Sequence, residues 1–226
     1  MCTQTKYIYL KSHPLFNELD ETTLLQLCPS LKVHNLYRSE TANYGDGDYS
    51  KIYFVVKGKI KIAEANEMGD ELIKDILAEG DFFGDLSLNG NIPNDEYAEA
   101  LTTNTIVCSF NVSCFKQVLH NSPMIAIQYA YKVSSKLRKL EGRHSDLVFR
   151  DAKSRLVRFI KNWARTDGSR VGNKIILTNY LTHSDIAGFI STSRQSVNVL
   201  LNELRNAGIL HYNRKQIELN DPGSWN

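Results

Sequence analysis

The chain has 226 residues, which is room for one large domain or two modest ones, and its 42% of apolar residues is typical of a globular protein. The net charge of +2 is unevenly distributed: residues 1–121 carry ten Lys and Arg against seventeen Asp and Glu, whereas residues 122–226 carry seventeen against eight. An acidic half joined to a basic half indicates that the two halves have different partners, and the basic excess of residues 132–174 favours a phosphate backbone as one of them.

The sequence also excludes several classes of protein. No apolar run is long enough to cross a membrane, and Lys6 and Lys11 interrupt the N-terminal segment, so we expect no signal peptide and a cytoplasmic location. None of the four cysteines lies in a CxxC pair, so we expect neither a metal site nor an iron–sulfur cluster. No GxSxG, GxxxxGKS/T, HExxH or GxGxxG motif is present, and we predict that the protein is not an enzyme.

The first half of the chain has the pattern of short strands separated by turns. Residues 52–56 predict a buried strand, residues 59–62 alternate with period two, and residues 73–77 and 105–110 are further extended runs. Many short strands with turns roughly every ten residues favour a β-sandwich or β-roll over βαβ units. We therefore expect an α+β protein whose N-terminal domain, residues 1–121, is a double-stranded, jelly-roll-like β-roll.

A helical period begins at Ser122, and its apolar positions are spaced three, four, three, four and three residues apart. This is the a and d pattern of a coiled coil, so we predict a long helix over residues 122–148 that pairs with a second copy of itself. The alternative is a single helix that lies on the core of its own domain. A break at residues 149–151 precedes a second helix, residues 151–165. The predicted seam residues are Ala130, Val133, Leu137, Leu140, His144 and Leu147.

Residues 182–209 predict two short helices joined by a tight turn. Thr182, three residues before Asp185, is a capping-box-like start, and either Thr192 or Ser193 can cap the second helix. One face of that helix is an apolar stripe, and Gly208 follows where a helix end needs a positive φ. The other face is polar and begins with an Arg-Gln pair. Arginine can pair bidentately with guanine, and glutamine or asparagine with adenine, so this helix suits a DNA major groove. The alternative is an ordinary helical hairpin with a solvated polar face.

A strand is predicted at residues 174–178 and a small hairpin at residues 209–219, with its turn at residues 213–215. A hairpin beside a helix-turn-helix makes a winged helix over residues 149–226, and the wing can contact backbone phosphates. The predicted DNA-binding residues are Thr182, His183, Ser184, Thr192, Ser193, Arg194, Gln195, Ser196, Asn198, Arg214 and Lys215.

This order of β-roll, long helix and winged helix resembles the Crp/Fnr family of bacterial transcription regulators. Residues 80–87, GDFFGDLS, look like the family's phosphate-binding cassette; residues 147–156 look like its hinge; and residues 182–210 match its helix-turn-helix. The resemblance implies a homodimeric, effector-controlled regulator that binds a palindromic operator in double-stranded DNA, with RNA polymerase as a further partner.

The chain departs from the family's cyclic-nucleotide binders. Their cassette continues to an Arg-Ser or Arg-Thr pair that neutralises the cyclic phosphate, whereas Glu96 and Tyr97 take that place when the sequences are aligned on Ala98. Lys74 is the only basic residue among residues 64–106, which hold eleven carboxylates. Leu140 and Glu141 stand where cyclic-AMP responders have a Thr-Ser pair. We predict that neither cAMP nor cGMP binds, and haem likewise has no sequence support.

The effector pocket that the resemblance implies would hold a small neutral or cationic molecule, or it would be vestigial. Its residues would be Phe83, Gly84, Asp85, Leu86, Ser87, Glu96, Tyr97, Leu140 and Glu141. In the recognition helix Gln195 replaces the family's acidic residue and Val199 its second arginine, so we expect an operator unlike the familiar half-sites. The alternative function is a signalling or interaction module with a vestigial cyclic-nucleotide-like domain and weak DNA binding.

Overall fold

The computed structural model describes residues 3–42, 51–67, 69, 71–89 and 96–220. The chain forms two compact units, Met1–Lys139 and Leu140–Asn226, and one long helix continues from the first into the second. The α+β class, with an N-terminal β domain, a long helix and a C-terminal helix-turn-helix, is confirmed. The division into segments 1–121, 122–148 and 149–226 stays a prediction.

The first unit begins with helices α1 (Thr3–Ser12) and α2 (Glu21–Leu27). Asp20 caps α2, because its Oδ1 accepts a hydrogen bond from the Thr23 N–H at 2.9 Å. Helix α1 is absent from the sequence prediction, because Leu10 is its one fully buried residue and its apolar period is weak.

The strands described in this unit are β1 (Lys32–Leu36), β2 (Thr41–Ala42), β3 (Lys51–Lys57), β4 (Ile60–Ala65), β5 (Glu71–Leu77), β6 (Phe82–Gly84), β7 (Glu96–Ala100) and β8 (Thr105–Asn111). They form two antiparallel sheets, one in the order β1-β8-β3-β6 and the other in the order β2-β7-β4-β5. The four strands predicted from the sequence correspond to β3, β4, β5 and β8.

An aromatic core packs beside the first sheet. The ring centroid of Phe54 lies 4.9, 5.9 and 5.5 Å from those of Phe16, Phe110 and Phe115. His13 is buried in the same cluster, 5.3 Å from Phe54 between ring centroids. Burial lowers the pKa of His13 to about 4, so its imidazole is neutral at physiological pH.

Helices α3 (Val112–Asn121) and α4 (Pro123–Phe149) follow the β domain. With 27 residues, α4 is about 40 Å long. Its first half packs on the β domain, since Ile125 and Tyr129 are buried in the aromatic core and Val133 contacts that core.

The second unit contains the end of α4, then α5 (Ala152–Asp167), α6 (His183–Ile190) and α7 (Arg194–Asn206). Its described strands are β9 (Ser169–Val171), β10 (Lys174–Thr178), β11 (Leu210–Tyr212) and β12 (Gln216–Asn220). They pair antiparallel in the order β11-β12-β10-β9, and the predicted strand and hairpin are confirmed. Strand β9 has no counterpart among the predicted strands; it pairs with β10, and Gly172, at φ 60°, turns the chain between them.

Candidate nucleic-acid interface

The first helix of the pair, α6, begins with a complete capping box. The Thr182 Oγ1 accepts a hydrogen bond from the Asp185 N–H at 3.0 Å, and the Asp185 Oδ2 accepts one from the Thr182 N–H at 2.7 Å. Two of the otherwise unsatisfied amides at this helix start are thereby bonded, as the sequence predicted.

The turn between the helices is set by Ser191 and Ser193. Ser191 ends α6 in the left-handed region, with a φ of 54°. Of the two residues able to cap α7, it is Ser193 that does so, because its Oγ accepts a hydrogen bond from the Ser196 N–H at 3.0 Å. At the other end, Gly208 follows the C-cap residue Ala207 and has a φ of 71°, the left-handed conformation expected at that position.

Helix α7 separates a buried face from a polar one. Val197, Leu201 and Leu204 are at most 2% exposed. Arg194 and Gln195, in the first turn, are exposed. Asn198 and Val199 are also exposed, whereas Ser196 is half-buried. The first turn of α7 therefore presents guanidinium and amide groups of the kind that bind base edges.

The start of α6 and the hairpin lie beside this helix. The rings of His183 and Tyr212 are in edge contact, with centroids 5.7 Å apart. Burial, and then the charge of Arg194, lower the pKa of His183, which favours its neutral form. Thr182 and Ser184 are exposed at the beginning of α6, and Thr192 is half-buried in the turn.

The wing turn is held by Asn213. Its Oδ1 accepts hydrogen bonds from the N–H groups of Lys215 and Gln216, at 2.8 and 2.9 Å. Arg214 and Lys215 are exposed at the tip. Two cations on a stiffened hairpin suit the sequence-independent contacts that fix a protein on DNA phosphates.

Much of the basic segment 132–174 is occupied within the chain. Lys132 donates to the Gly80 carbonyl at 2.8 Å, and Arg155 donates to three carbonyl groups. Arg158 and Arg150 both bind Asp146. Four cations of the segment that the sequence assigned to DNA phosphates therefore have partners within the chain, and its contact with DNA stays a prediction.

The β domain contains a second candidate site, around strands β4, β5 and β7. Glu96, which stands where cyclic-nucleotide binders have their arginine, accepts from Lys74 at 2.6 Å, and Lys74 also lies 2.5 Å from Glu64. On the same strand as Lys74, Asp75 pairs with Lys136 of α4 at 2.8 Å. Lys74, the only basic residue among residues 64–106, thus neutralises Glu96.

Tyr97 faces away from Glu96. Side chains alternate along a strand, and Glu96 shares its face of β7 with Ala98 and Ala100, which are fully buried. The Tyr97 hydroxyl donates to Glu71 on the opposite face. Buried Lys61 pairs there with Glu71 at 2.8 Å and with Glu99 at 3.2 Å. The structure therefore does not bring Tyr97 together with Glu96, and the alternation of β7 was a signal that could have shown this.

The cassette-like segment is tied to α4. The Tyr129 hydroxyl donates to the Leu86 carbonyl at 2.7 Å, beside Ser87, which donates to the buried Asp85 at 2.7 Å. Gly84 has a φ of 97°, and a Cβ there would lie 2.5 Å from the Lys51 carbonyl oxygen, so glycine is required. Phe83 is buried beside them.

The remaining predicted pocket residues, Leu140 and Glu141, are exposed and belong to the second unit. Leu140 is also one of the seam residues, of which Ala130, Leu137, His144 and Leu147 are likewise exposed. Val133 is the exception, because it contacts the core of its own unit. The pocket and the seam both stay predictions.

Comparison with known families finds two domains in the same order as the β domain and the helix-turn-helix of the structure. Residues 37–122 match the family model for a cyclic nucleotide-binding domain, and residues 154–224 match that for a Crp-like helix-turn-helix domain. The global nitrogen regulator of Nostoc sp. is 28% identical over 191 residues, which cover 84% of this chain and 86% of that protein. The chain belongs to the Crp/Fnr family.

Other Crp/Fnr relatives extend the match. The CRP-like cAMP-activated global transcriptional regulator of Mycobacterium tuberculosis is 24% identical over 208 residues, 92% of each chain. Among solved structures, a CooA mutant from Carboxydothermus hydrogenoformans has a TM-score of 0.72 at 24% identity, covering 85% of each chain. The protein is thus a transcription regulator with a helix-turn-helix DNA-binding domain. Within the described residues, no helix has both the length and the apolar character to span a membrane.

Two sets of polar contacts in this Crp/Fnr protein have no signal in its sequence. Lys136 and Asp75 are 61 residues apart, and Arg155 binds carbonyl groups up to 36 residues away. Lysines and arginines on helices are usually solvated, so their spacing gives no signal of such contacts. Only the fold brings these groups together.

Proposed function

We propose that the protein is a homodimer that binds a palindromic operator through α7 of each copy. The observation that carries the proposal is the first turn of α7, where Arg194 and Gln195 are exposed directly after the Ser193 cap while Val197 is buried. A helix anchored by one face and polar at its start can enter a major groove. The neighbouring DNA-contact residues predicted from the sequence complete the surface.

The proposed dimer forms along α4. Leu137, Leu140 and Leu147 are 56%, 59% and 47% exposed in the single chain. Exposed leucines that recur at heptad spacing are stabilised by burial against a second, identical helix. A two-fold dimer would present its two recognition helices to successive major grooves, about 34 Å apart. In this proposal the protein acts in the cytoplasm of a bacterial cell, on DNA and in contact with RNA polymerase.

Site selection from a random DNA pool, followed by mobility shifts at two salt concentrations, tests this function. We expect an enriched palindrome with half-sites one helical turn apart, and a loss of specific binding in Arg194→Met. Lys116→Met, an exposed lysine on α3, is the matched control and should bind normally. Enrichment of no sequence, or equal binding by Arg194→Met, would contradict the proposal and favour the interaction-module alternative.

We further propose that the β domain binds neither cAMP nor cGMP. The ion pairs of this candidate site comprise two lysines, Lys74 and Lys136, and three carboxylates, Glu64, Glu96 and Asp75. Their sum is one negative charge, and both lysines are already paired. A cyclic phosphate would have to break these pairs and bury its charge beside carboxylates, at a cost of several kcal/mol. A neutral or cationic molecule, or no effector, fits this charge balance.

Isothermal titration calorimetry with each cyclic nucleotide tests this part. We expect no heat of binding at millimolar ligand, with a cyclic-AMP-responsive relative as the positive control. Micromolar binding of either nucleotide would overturn this part and leave the proposed DNA-binding function intact.

A further inference from the structure

Two arginines bind the end of α6 at three successive main-chain oxygens. Arg143, on α4, donates through Nη2 to the Phe189 carbonyl at 3.0 Å. Arg155, on α5, donates through Nε to the Ile190 carbonyl at 2.8 Å and through Nη2 to the Ser191 carbonyl at 3.1 Å. We call Arg143 and Arg155 the arginine pair.

Both arginines make a second contact. Arg155 donates through Nη1 to the Arg150 carbonyl at 2.7 Å, just beyond the end of α4. The Arg143 guanidinium carbon lies 4.1 Å from the centroid of the Phe189 ring, a cation–π contact. The Arg155 guanidinium therefore joins the break after α4, residues 149–151, to the turn of the helix-turn-helix, and that of Arg143 joins α4 to α6.

The chemistry favours these contacts. The last carbonyl groups of a helix have no partner within the helix, and they form the negative end of its dipole. A guanidinium is always charged and offers several donors in a fixed plane, so one side chain can bind neighbouring carbonyl groups. Asp146 of α4 adds a parallel link, because its Oδ2 lies 3.0 Å from the Arg158 Nε on α5.

The arginine pair contacts residues that lie close in the chain to the recognition helix, and Arg143 lies next to the predicted seam. The last carbonyl group that the pair holds, that of Ser191, lies two residues before Ser193, whose side chain caps α7. Arg143 itself lies between Leu140 and His144, two of the predicted seam residues. The arginine pair thus connects the dimer seam to the start of the recognition helix through groups that need not touch DNA.

We infer that Arg143 and Arg155 are positioning residues that set the spacing between the two recognition helices, and hence the operator spacing that the dimer accepts. This inference rests on the proposed dimeric operator binding. Each base pair inserted between half-sites moves one of them by about 3.4 Å and rotates it by about 35°. A rigid connection makes binding sensitive to that change, whereas a loosened one makes binding tolerant of it.

The experiment measures affinity for operators whose half-sites are at the selected spacing or are separated by one or two base pairs more or fewer. We expect the wild-type protein to lose about tenfold or more per changed base pair, in line with the cost of a mismatched position. In Arg143→Met we expect this discrimination to fall below about threefold, while its mass as a dimer and its non-specific DNA binding stay unchanged. Arg155→Lys keeps the positive charge but loses the planar guanidinium with its several donors, so its discrimination between spacings should lie between those of the wild-type protein and Arg143→Met.

Arg138→Met on α4 and Arg165→Met on α5 are the controls, since both residues are exposed and Arg165 bonds only weakly to Asn162 of its own helix. Circular dichroism verifies folding, and if Arg143→Met is unfolded, the folded Arg155→Lys decides. If folded Arg143→Met and folded Arg155→Lys both discriminate between spacings as the wild-type protein does, the inference is wrong and the proposed function still stands. A wild-type protein that selects no site would instead overturn the proposed function.

Discussion

Lys136 on α4 forms an ion pair with Asp75 on β5, with 2.8 Å between Nζ and Oδ2. The two side chains are 20% and 32% exposed, so water screens the pair only in part. Tyr129 and Lys132, on the same face of α4, bind the carbonyl groups of Leu86 and Gly80. Helix α4 is therefore fastened to the β domain by the protein's own polar groups as well as by apolar packing.

Removing one partner of this ion pair should destabilise the first unit. We expect Lys136→Met to lower the free energy of unfolding by about 1–2 kcal/mol, because Asp75 is left half-buried without its cation. Lys139→Met, an exposed change on the same helix, should stay within about 0.5 kcal/mol of wild type. Urea unfolding followed by circular dichroism measures both. The double variant with Asp75→Asn should recover part of the loss, and equal stability of the two single variants would contradict the expectation.

His13 should make stability fall in mild acid. Its folded pKa is about 4, against 6.5 for an ordinary histidine, chiefly because of burial. Between these values the unfolded chain binds the extra proton, so stability is full above pH 6.5 and declines as the pH falls to 4. The loss from this residue should total about 3 kcal/mol.

The measurement is the free energy of unfolding from pH 7 to pH 4. His13→Asn, whose amide oxygen can still accept from the Leu15 N–H, should reduce the slope in this window. His120→Asn, an exposed change on α3, should leave the slope as it is. A slope that His13→Asn does not alter would show that other groups carry the acid sensitivity.

The wing should contribute salt-dependent, sequence-independent affinity. Removing one cation from a DNA phosphate reduces the slope of log K against log salt by about 0.9, so Lys215→Gln should reduce it by about 1.8 in a dimer. Arg214→Gln should act in the same way, and neither should change the selected sequence. Fluorescence anisotropy at several salt concentrations gives the slopes, with Lys116→Gln as the control. An altered sequence preference would mean that the wing contacts bases.

Gln195 should contact a base directly. Replacing it with Glu converts a group that suits adenine into one that accepts a hydrogen bond from cytosine. We expect Gln195→Glu to change the preferred base at one position of each half-site, with about 1–3 kcal/mol of discrimination. The matched change Asn206→Asp lies at the far end of α7 and should leave the site unchanged. Repeated site selection with both variants is the measurement, and an unchanged preference for Gln195→Glu would remove this residue from the interface.

Local features of the fold could be predicted because their causes are local. The capping box of Thr182 and Asp185, the Ser193 cap and the buried stripe of α7 each depend on residues within a few positions of one another. The same holds for the strands with alternating residues. These features were enough to predict the helix-turn-helix and the class of the β domain.

Contacts between residues that lie far apart in the sequence could not be predicted from local patterns. Nothing in the spacing of Lys74 shows that it sits between Glu64 and Glu96, or that Lys136 reaches Asp75. The basic excess before the helix-turn-helix was assigned to phosphates, yet Arg155 is used inside the chain. Charge counted along a sequence gives the number of cations and not their partners.

The arginine pair binds main-chain oxygens, which every amino acid supplies in the same form. The bonds of Arg155 therefore place no demand on the side chain at Ser191, and none on the exposed residues that follow it. Mutations at the start of the recognition helix can accumulate without disturbing the joint behind it. If the inference holds, such a joint would let the protein diverge in the DNA sequence it prefers while the geometry of the proposed dimer is inherited unchanged.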